Sequence, residues 1–123
     1  MIQGVHSIVL FCRDTAASLA WYQALGFELR RSHEAMHFLG FGATELMLHP
    51  SETGPSGAVP HVYIAVMDLD AFFARTRAAG IEPMHHQVQG RLEAPHVTPW
   101  GSREFELDDP DGHRWGFLQG RPA

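Results

Sequence analysis

Hydrophobic residues along this chain follow a strand period, then a helix period, and then a strand period again. Residues 5–11 are almost entirely apolar and predict a strand that is covered on both faces. Asp14 then begins a predicted helix, and Gly26 ends it, because carboxylates favour the N-cap and glycine favours the C′ position. Three short alternating segments predict the strands that follow, at residues 27–33, 36–41 and 45–49.

The same order of elements begins again after a linker-like segment at residues 51–60, rich in proline, glycine and serine. Residues 61–66 predict another strand, and Asp68 and Gly80 bound a second helix. Both residues lie 54 positions after their counterparts in the first half. We therefore predict an internal repeat. The α+β fold would consist of two β-α-β-β-β modules, residues 1–55 and 56–123, within one domain of residues 1–123.

A hairpin is predicted at the end of the second half. Phe105 and Leu107, and then Trp115 and Phe117, alternate with polar or small residues, which is the period of half-buried strands. Asp109–Gly112, with the sequence Asp-Pro-Asp-Gly, predicts the turn between them, because proline presets φ and glycine accepts a positive φ.

Residues 82–89 predict the strand before this hairpin, and residues 90–99 predict a long irregular loop. Loops of that length often bind ligands. His85 and His86 are neighbours within the predicted strand, so we expect their side chains to point to opposite faces. On that reading the two imidazoles do not bind one ion together.

Two motifs resemble the vicinal oxygen chelate superfamily, which includes glyoxalase I, extradiol dioxygenases and bleomycin resistance proteins. The first is Asp-x-x-x-Ser-x-x-Trp-Tyr-x-x-Leu-Gly-Phe at residues 14–27. The second is Trp-Gly-x-x-x-Phe-x-x-x-Asp-Pro-Asp-Gly at residues 100–112. Together they span nearly the whole chain, and residues 91–101 most resemble the bleomycin resistance branch. The resemblance implies that the two modules form one vicinal oxygen chelate domain.

The resemblance also implies where a metal ion would bind, because the metal-using members carry ligands at fixed strand positions. Those positions are His6, Met47, His61 and Gly116 in this sequence. Two imidazoles suit Zn²⁺, Fe²⁺, Ni²⁺ or Mn²⁺, but Gly116 has no side chain and Met47 offers only a soft thioether. We therefore expect no metal cofactor; if a divalent ion binds, its ligands are His6 and His61.

No catalytic residue is expected from the sequence. Cys12 is the only cysteine, and no pattern supplies a base that would activate it. Glu104 and Glu106 would point toward the site only if the strand that carries them were misassigned.

Without a metal site, the candidate binding surface consists of apolar and aromatic side chains with a few polar groups. Such a surface suits a flat or bulky organic molecule. The resemblance implies a metal-independent small-molecule-binding protein that captures such a ligand, for example a glycopeptide antibiotic. The predicted ligand-binding residues are His6, Leu10, Met36, Phe38, Met47, His61, Tyr63, Trp100 and Arg103. One alternative is a metal-dependent glyoxalase-like lyase or isomerase, or an extradiol-type dioxygenase, that uses His6 and His61 with an atypical third ligand. Another is an interaction module without a small-molecule ligand.

The composition limits the possible size, partners and cellular compartment of the protein. The chain has 123 residues, of which 45% are hydrophobic, enough for one packed domain. A formal net charge of −5 argues against binding to a nucleic acid backbone, and no apolar run is long enough to span a membrane. The single cysteine, and a start without a basic leader, predict a cytoplasmic protein. We also expect a homodimer, because two small sheets leave concave faces that need cover.

Overall fold

The computed structural model describes residues 1, 5–54 and 62–120. The chain divides into two compact units, residues 1–59 with 110–112, and residues 60–109 with 113–123. Each unit consists of one four-stranded sheet and one helix. The predicted α+β fold class is therefore confirmed.

In the first unit the helix follows the first strand, and three antiparallel strands complete the sheet. Its elements are β1 (Ser7–Cys12), α1 (Thr15–Ala24), β2 (Glu28–His33), β3 (Met36–Phe41) and β4 (Thr44–Pro50). The strand order is β1-β4-β3-β2, and β1 runs parallel to β4.

The second unit repeats this topology. Its elements are β5 (Val62–Val66), α2 (Leu69–Ala78), β6 (His96–Val97), β7 (Arg103–Asp108) and β8 (Arg114–Gln119). The strand order is β5-β8-β7-β6, and β5 runs parallel to β8. Both halves are thus β-α-β-β-β units, as the internal repeat predicts.

Both helices begin and end as the sequence predicts. The side chain of Asp14 accepts a hydrogen bond from the Ala17 N–H at 3.0 Å, and Asp68 accepts one from Ala71 at 3.0 Å. Each carboxylate satisfies one of the N–H groups that the first helical turn leaves unpaired. Beyond each C-cap lies a glycine with positive φ, the conformation that ends a helix at least cost.

The core of the first unit lies between α1 and its sheet. Alternation along the strands brings four leucines to the face that α1 covers: Leu10, Leu39, Leu46 and Leu48. Tyr22 of α1 is fully buried and meets the ring of Phe27 edge-on at 5.1 Å between centroids.

The core of the second unit is aromatic. Phe72 and Phe73 of α2 both contact the ring of Phe105, at centroid distances of 6.0 and 5.2 Å. Phe105 in turn lies 5.5 Å from Phe117 of the neighbouring strand. The face of this sheet that α2 covers therefore carries the odd-numbered residues of β7 and β8.

The strand predicted at residues 82–89 is wrong; the strand that pairs with β7 is the two-residue β6, inside the predicted loop. Only Met84 of the predicted strand forms an isolated bridge, to Glu106. The physical reason lies in neighbouring hydrogen bonds. Pro83 has no N–H to give to a ladder, and the N–H groups of His86 and Gln87 go to side chains instead.

We predict that Phe105→Ala lowers the free energy of unfolding by about 3–5 kcal/mol, because it empties the centre of the aromatic core. The matched control is Phe11→Ala, which removes the same side chain from a site where it is 44% exposed. Denaturant unfolding followed by far-UV circular dichroism measures both changes. Equal losses in the two variants would contradict this account of the core.

Candidate functional site

The first candidate surface is the face of the β1–β4 sheet opposite α1, which we call the first open face. Register places four apolar side chains on it: Val9, Phe11, Phe38 and Met47. Val9 and Phe11 are exposed, and Phe38 and Met47 are half-buried. Solvent-accessible aromatic and thioether groups side by side are a suitable surface for an organic ligand.

A charged pair borders this apolar group. Arg31 donates two hydrogen bonds to Glu45, at 3.0 and 2.9 Å, and its guanidinium lies 4.1 Å from the centroid of the Phe38 ring. The Arg31 hydrogen bonds hold the pKa of the Glu45 carboxyl below its usual range. The first open face therefore carries a fixed polar group beside its apolar residues.

The structure separates the sequence-predicted ligand residues of this unit. Phe38 and Met47 face each other across β3 and β4 on the first open face, and Met36 begins β3 half-buried. Leu10 is buried on the opposite face, against α1. His6 is exposed just before β1, and His61 lies outside the described residues.

The second candidate surface is the face of the β5–β8 sheet opposite α2, the second open face. Tyr63 of β5 pairs with Gly116 of β8, and its ring covers the glycine so closely that a Cβ there would lie 2.4 Å from a ring carbon. Tyr63 remains 44% exposed. Partial burial, together with the charges of Glu104 and Glu106, raises the pKa of its phenol.

Glu104 and Glu106 also lie on the second open face, although β7 is the strand that the sequence predicts. This corrects the expectation that they would turn inward only in a misassigned strand. Their odd-numbered neighbours pack against α2, so alternation forces both carboxylates to the other face, where Glu106 lies opposite Gly116. Both are nearly fully buried, with 3% and 1% exposed.

His85 and His86 cover these carboxylates, and the expectation for this pair is also corrected. Their rings stack 4.5 Å apart at 24°, on the same side of the chain, because residues 85–86 do not continue a strand. His85 Nε2 lies 2.9 Å from Glu104, and His86 Nδ1 lies 2.7 Å from Glu106. The i, i+2 spacing of the glutamates indicates that they share one face of the strand, but it does not place the histidine pair against them.

Two further predicted ligand residues flank β7. Trp100 lies in the turn between β6 and β7 and is 65% exposed, because Thr98 and Ser102 close that turn through their main chains at 2.8 Å. Arg103 points away from the glutamates and forms an ion pair with Asp70 of α2 at 2.7 Å. Arg103 is therefore held by α2, whereas Trp100 presents its indole to solvent.

Comparison with protein families decides where the chain belongs. A family model described as the Glyoxalase/Bleomycin resistance protein/Dioxygenase superfamily matches residues 4–117. The chain belongs to this superfamily. Among curated proteins no significant match is found. Solved structures with the same fold include a bleomycin resistance determinant encoded on the transposon Tn5, with 22% identity and a TM-score of 0.75 over 98% of this chain and 100% of that one.

Two other superfamily structures show how widely the fold is used. A bleomycin-binding protein complexed with bleomycin has 21% identity and a TM-score of 0.70, over 98% of this chain and 100% of that one. A lactoylglutathione lyase from Agrobacterium tumefaciens has 20% identity and a TM-score of 0.73, over 97% and 95%. At these identities the likeness establishes the fold. Among the described helices, none is long and apolar enough to cross a membrane.

Members of the superfamily often use a divalent metal ion, but two of the ligand positions implied by the resemblance do not fit one. Gly116 supplies no donor, and the Tyr63 ring fills the space that a longer side chain would need. Met47 supplies a thioether, which binds these ions poorly. Other histidine and carboxylate groups of the described residues lie close enough together to hold an ion, among them His85, His86 and Glu106.

We predict that Arg31→Gln raises the pKa of Glu45 toward its ordinary value, because both hydrogen bonds to the carboxylate are lost. The folded-state pKa of Glu45 lies below its unfolded value. The pair therefore contributes stability at neutral pH, and that contribution is lost as the pH falls through the folded-state pKa. Carboxyl chemical shifts followed through an NMR pH titration measure the change. An unaltered Glu45 pKa in Arg31→Gln, or an equal change in the distant control Arg91→Gln, would contradict it.

We also predict that Gly116→Ala costs about 1–3 kcal/mol of stability, because the new methyl group forces the Tyr63 ring to move. In a Tyr63→Ala background the same substitution has no ring to displace, so its cost should fall. Unfolding free energies of the four proteins form a double-mutant cycle that measures this coupling. Additive effects would show that the two residues do not interact.

Proposed function

We propose that this protein binds a flat or bulky organic molecule without changing it chemically; the bleomycin-binding protein that shares its fold supports the binding of such a ligand. The observation that carries the proposal is the exposure of aromatic side chains on surfaces that no helix of their own unit covers. Phe11, Tyr63 and Trp100 are 44%, 44% and 65% exposed. Aromatic surface left in water is costly unless a ligand or partner covers it during function.

The proposal does not rely on a metal ion at the strand positions that metal-using relatives employ. Gly116 and Met47 lack the carboxylates with which such a site binds an ion and moves a proton, so lyase, isomerase or dioxygenase chemistry there has no ligand set. Stoichiometric capture needs only shape, apolar surface and a few polar groups. Phe38 and Met47, with the Arg31–Glu45 pair beside them, supply these in the first unit.

Charge favours one kind of ligand. The net charge of −5 raises the local concentration of cations and speeds their association at low salt. A cationic molecule with planar rings, such as a glycopeptide antibiotic of the bleomycin type, fits both features. We further propose that the functional form is a homodimer, because an exposed apolar sheet face is commonly covered by a second copy.

We predict that a bleomycin-type glycopeptide binds the wild-type protein and that Trp100→Ala weakens binding about tenfold or more. Stacking on an indole contributes about 0.5–1.5 kcal/mol beyond the area that it buries. Isothermal titration calorimetry measures both affinities without depending on tryptophan fluorescence. The matched control is Val97→Ala, an exposed apolar residue of β6 whose register partner, Arg103, faces α2.

The role of Trp100 and the capture function are contradicted by different outcomes. Equal affinity in wild type and Trp100→Ala would show that Trp100 does not contact the ligand. If wild type bound no bleomycin-type glycopeptide and no other planar cationic antibiotic, the capture function itself would be contradicted.

A further inference from the structure

Four side chains of the second unit form a group that the proposed function does not use. They are His85, His86, Glu104 and Glu106, here called the histidine–glutamate cluster. His85 and both glutamates are almost completely buried, whereas the His86 side chain is 45% exposed. The exposed part of the His86 ring is therefore where the cluster meets solvent.

Hydrogen bonds fix the proton positions on His85. The main-chain N–H of Gln87 can only donate, and it lies 3.1 Å from His85 Nδ1, so that nitrogen is an acceptor with a lone pair. The other nitrogen, Nε2, then carries the proton and donates to Glu104 Oε1 at 2.9 Å. An imidazole that donates its N–H to a carboxylate is the arrangement found behind metal-binding histidines, and an ion at Nδ1 of His85 would take the place of the Gln87 N–H there.

Glu106 is held by His86 through two bonds. The main-chain N–H of His86 donates to Oε1 at 2.8 Å, and Nδ1 of its ring lies 2.7 Å from Oε2. Met84 also pairs with Glu106 through the main chain. These contacts fix the carboxylate, the His86 ring and the edge of β7 in one place.

The two glutamates of the cluster have only histidines as possible cationic hydrogen-bond partners among the described residues. Two carboxylates are buried, the sequence contains no lysine, and no arginine in the described part of the chain hydrogen-bonds either one. The pKa of the Arg114 guanidinium is raised mainly by its hydrogen bonds to Asp108, and to a smaller extent by the nearby charge of Glu106. Two carboxylates buried side by side on one strand repel each other, and a divalent ion would offset that repulsion.

We propose that His85, His86 and Glu106 bind one divalent transition-metal ion of the Zn²⁺ type, with Glu104 orienting His85. One imidazole nitrogen of each histidine and one oxygen of Glu106 lie within 4.8 Å of one another. Tetrahedral bonds of about 2.0–2.2 Å place ligand atoms about 3.4 Å apart, so the three groups need only small shifts. Residues 85 and 86 lie outside the strands, and binding would exchange some of their present hydrogen bonds for bonds to the ion.

This site differs from the strand positions that the family resemblance implies, since none of its ligands is His6, Met47, His61 or Gly116. Its consequence is local: the ion would cross-link residues 85–86 to β7, at the strand whose preceding turn carries Trp100. Ligand capture by exposed aromatic groups does not depend on it. Failure of one proposal therefore leaves the other standing.

The test is titration of the full chain with ZnCl₂ by isothermal titration calorimetry, after removal of any purification tag and of bound metal by a chelator. We expect one equivalent to bind. His86→Ala and Glu106→Gln should each weaken binding at least tenfold, and Glu104→Gln should weaken it about 10–100-fold through the orientation of His85. The matched control is His33→Ala, an exposed histidine of the first unit, which should leave the affinity unchanged.

Far-UV circular dichroism checks that each variant is folded. Because His86 is half-exposed, His86→Ala provides the decisive comparison if Glu106→Gln does not fold. Co²⁺ supplies a second readout, since its visible absorption reports coordination by nitrogen and oxygen ligands and should disappear in His86→Ala. Absence of stoichiometric Zn²⁺ binding, or wild-type affinity in folded His86→Ala, would overturn the proposal.

Discussion

The organisation of this protein depends on a simple imbalance: each sheet has two faces, and its unit supplies one helix. Side chains alternate strictly along a strand, so every residue that packs under a helix commits its neighbours to the other face. In the first unit this leaves Val9, Phe11 and Met47 opposite a leucine core. In the second it leaves two glutamates opposite an aromatic core. The chemistry of the open faces is thus fixed by how the cores are packed.

The two units differ in the side chains on the sheet face that their helix does not cover. The first exposes apolar groups and borders them with the Arg31–Glu45 ion pair. The second buries acidic groups, because residues 84–97 fold back along the edge of β7 and bring His85 and His86 over Glu104 and Glu106. A repeat of one topology therefore provides two surfaces of opposite character. This follows from side chains alone, since the strand orders of the two sheets correspond.

Local signals explain which parts could be predicted from the sequence. Asp14 and Asp68 cap helices through contacts three residues away, and the repeat doubles each signal, so both helices were predictable. The histidine pair was not, because its conformation depends on Glu104 and Glu106, some 20 residues away in sequence. The prediction of a strand at residues 82–89 requires their main-chain N–H groups to pair with a neighbouring strand. The N–H of His86 donates to the Glu106 carboxylate and the N–H of Gln87 to the His85 imidazole instead, which no period in the sequence reveals.

The contact of Tyr63 with Gly116 has an evolutionary consequence. A carboxylate at position 116 would have to enter where an aromatic ring already lies 2.4 Å from the first carbon of any new side chain. Substitution at 116 alone meets that ring, whereas loss of Tyr63 must come first or at the same time. The order of mutations therefore matters. A path of single substitutions that brings a carboxylate to position 116 is therefore less costly if Tyr63 changes before Gly116.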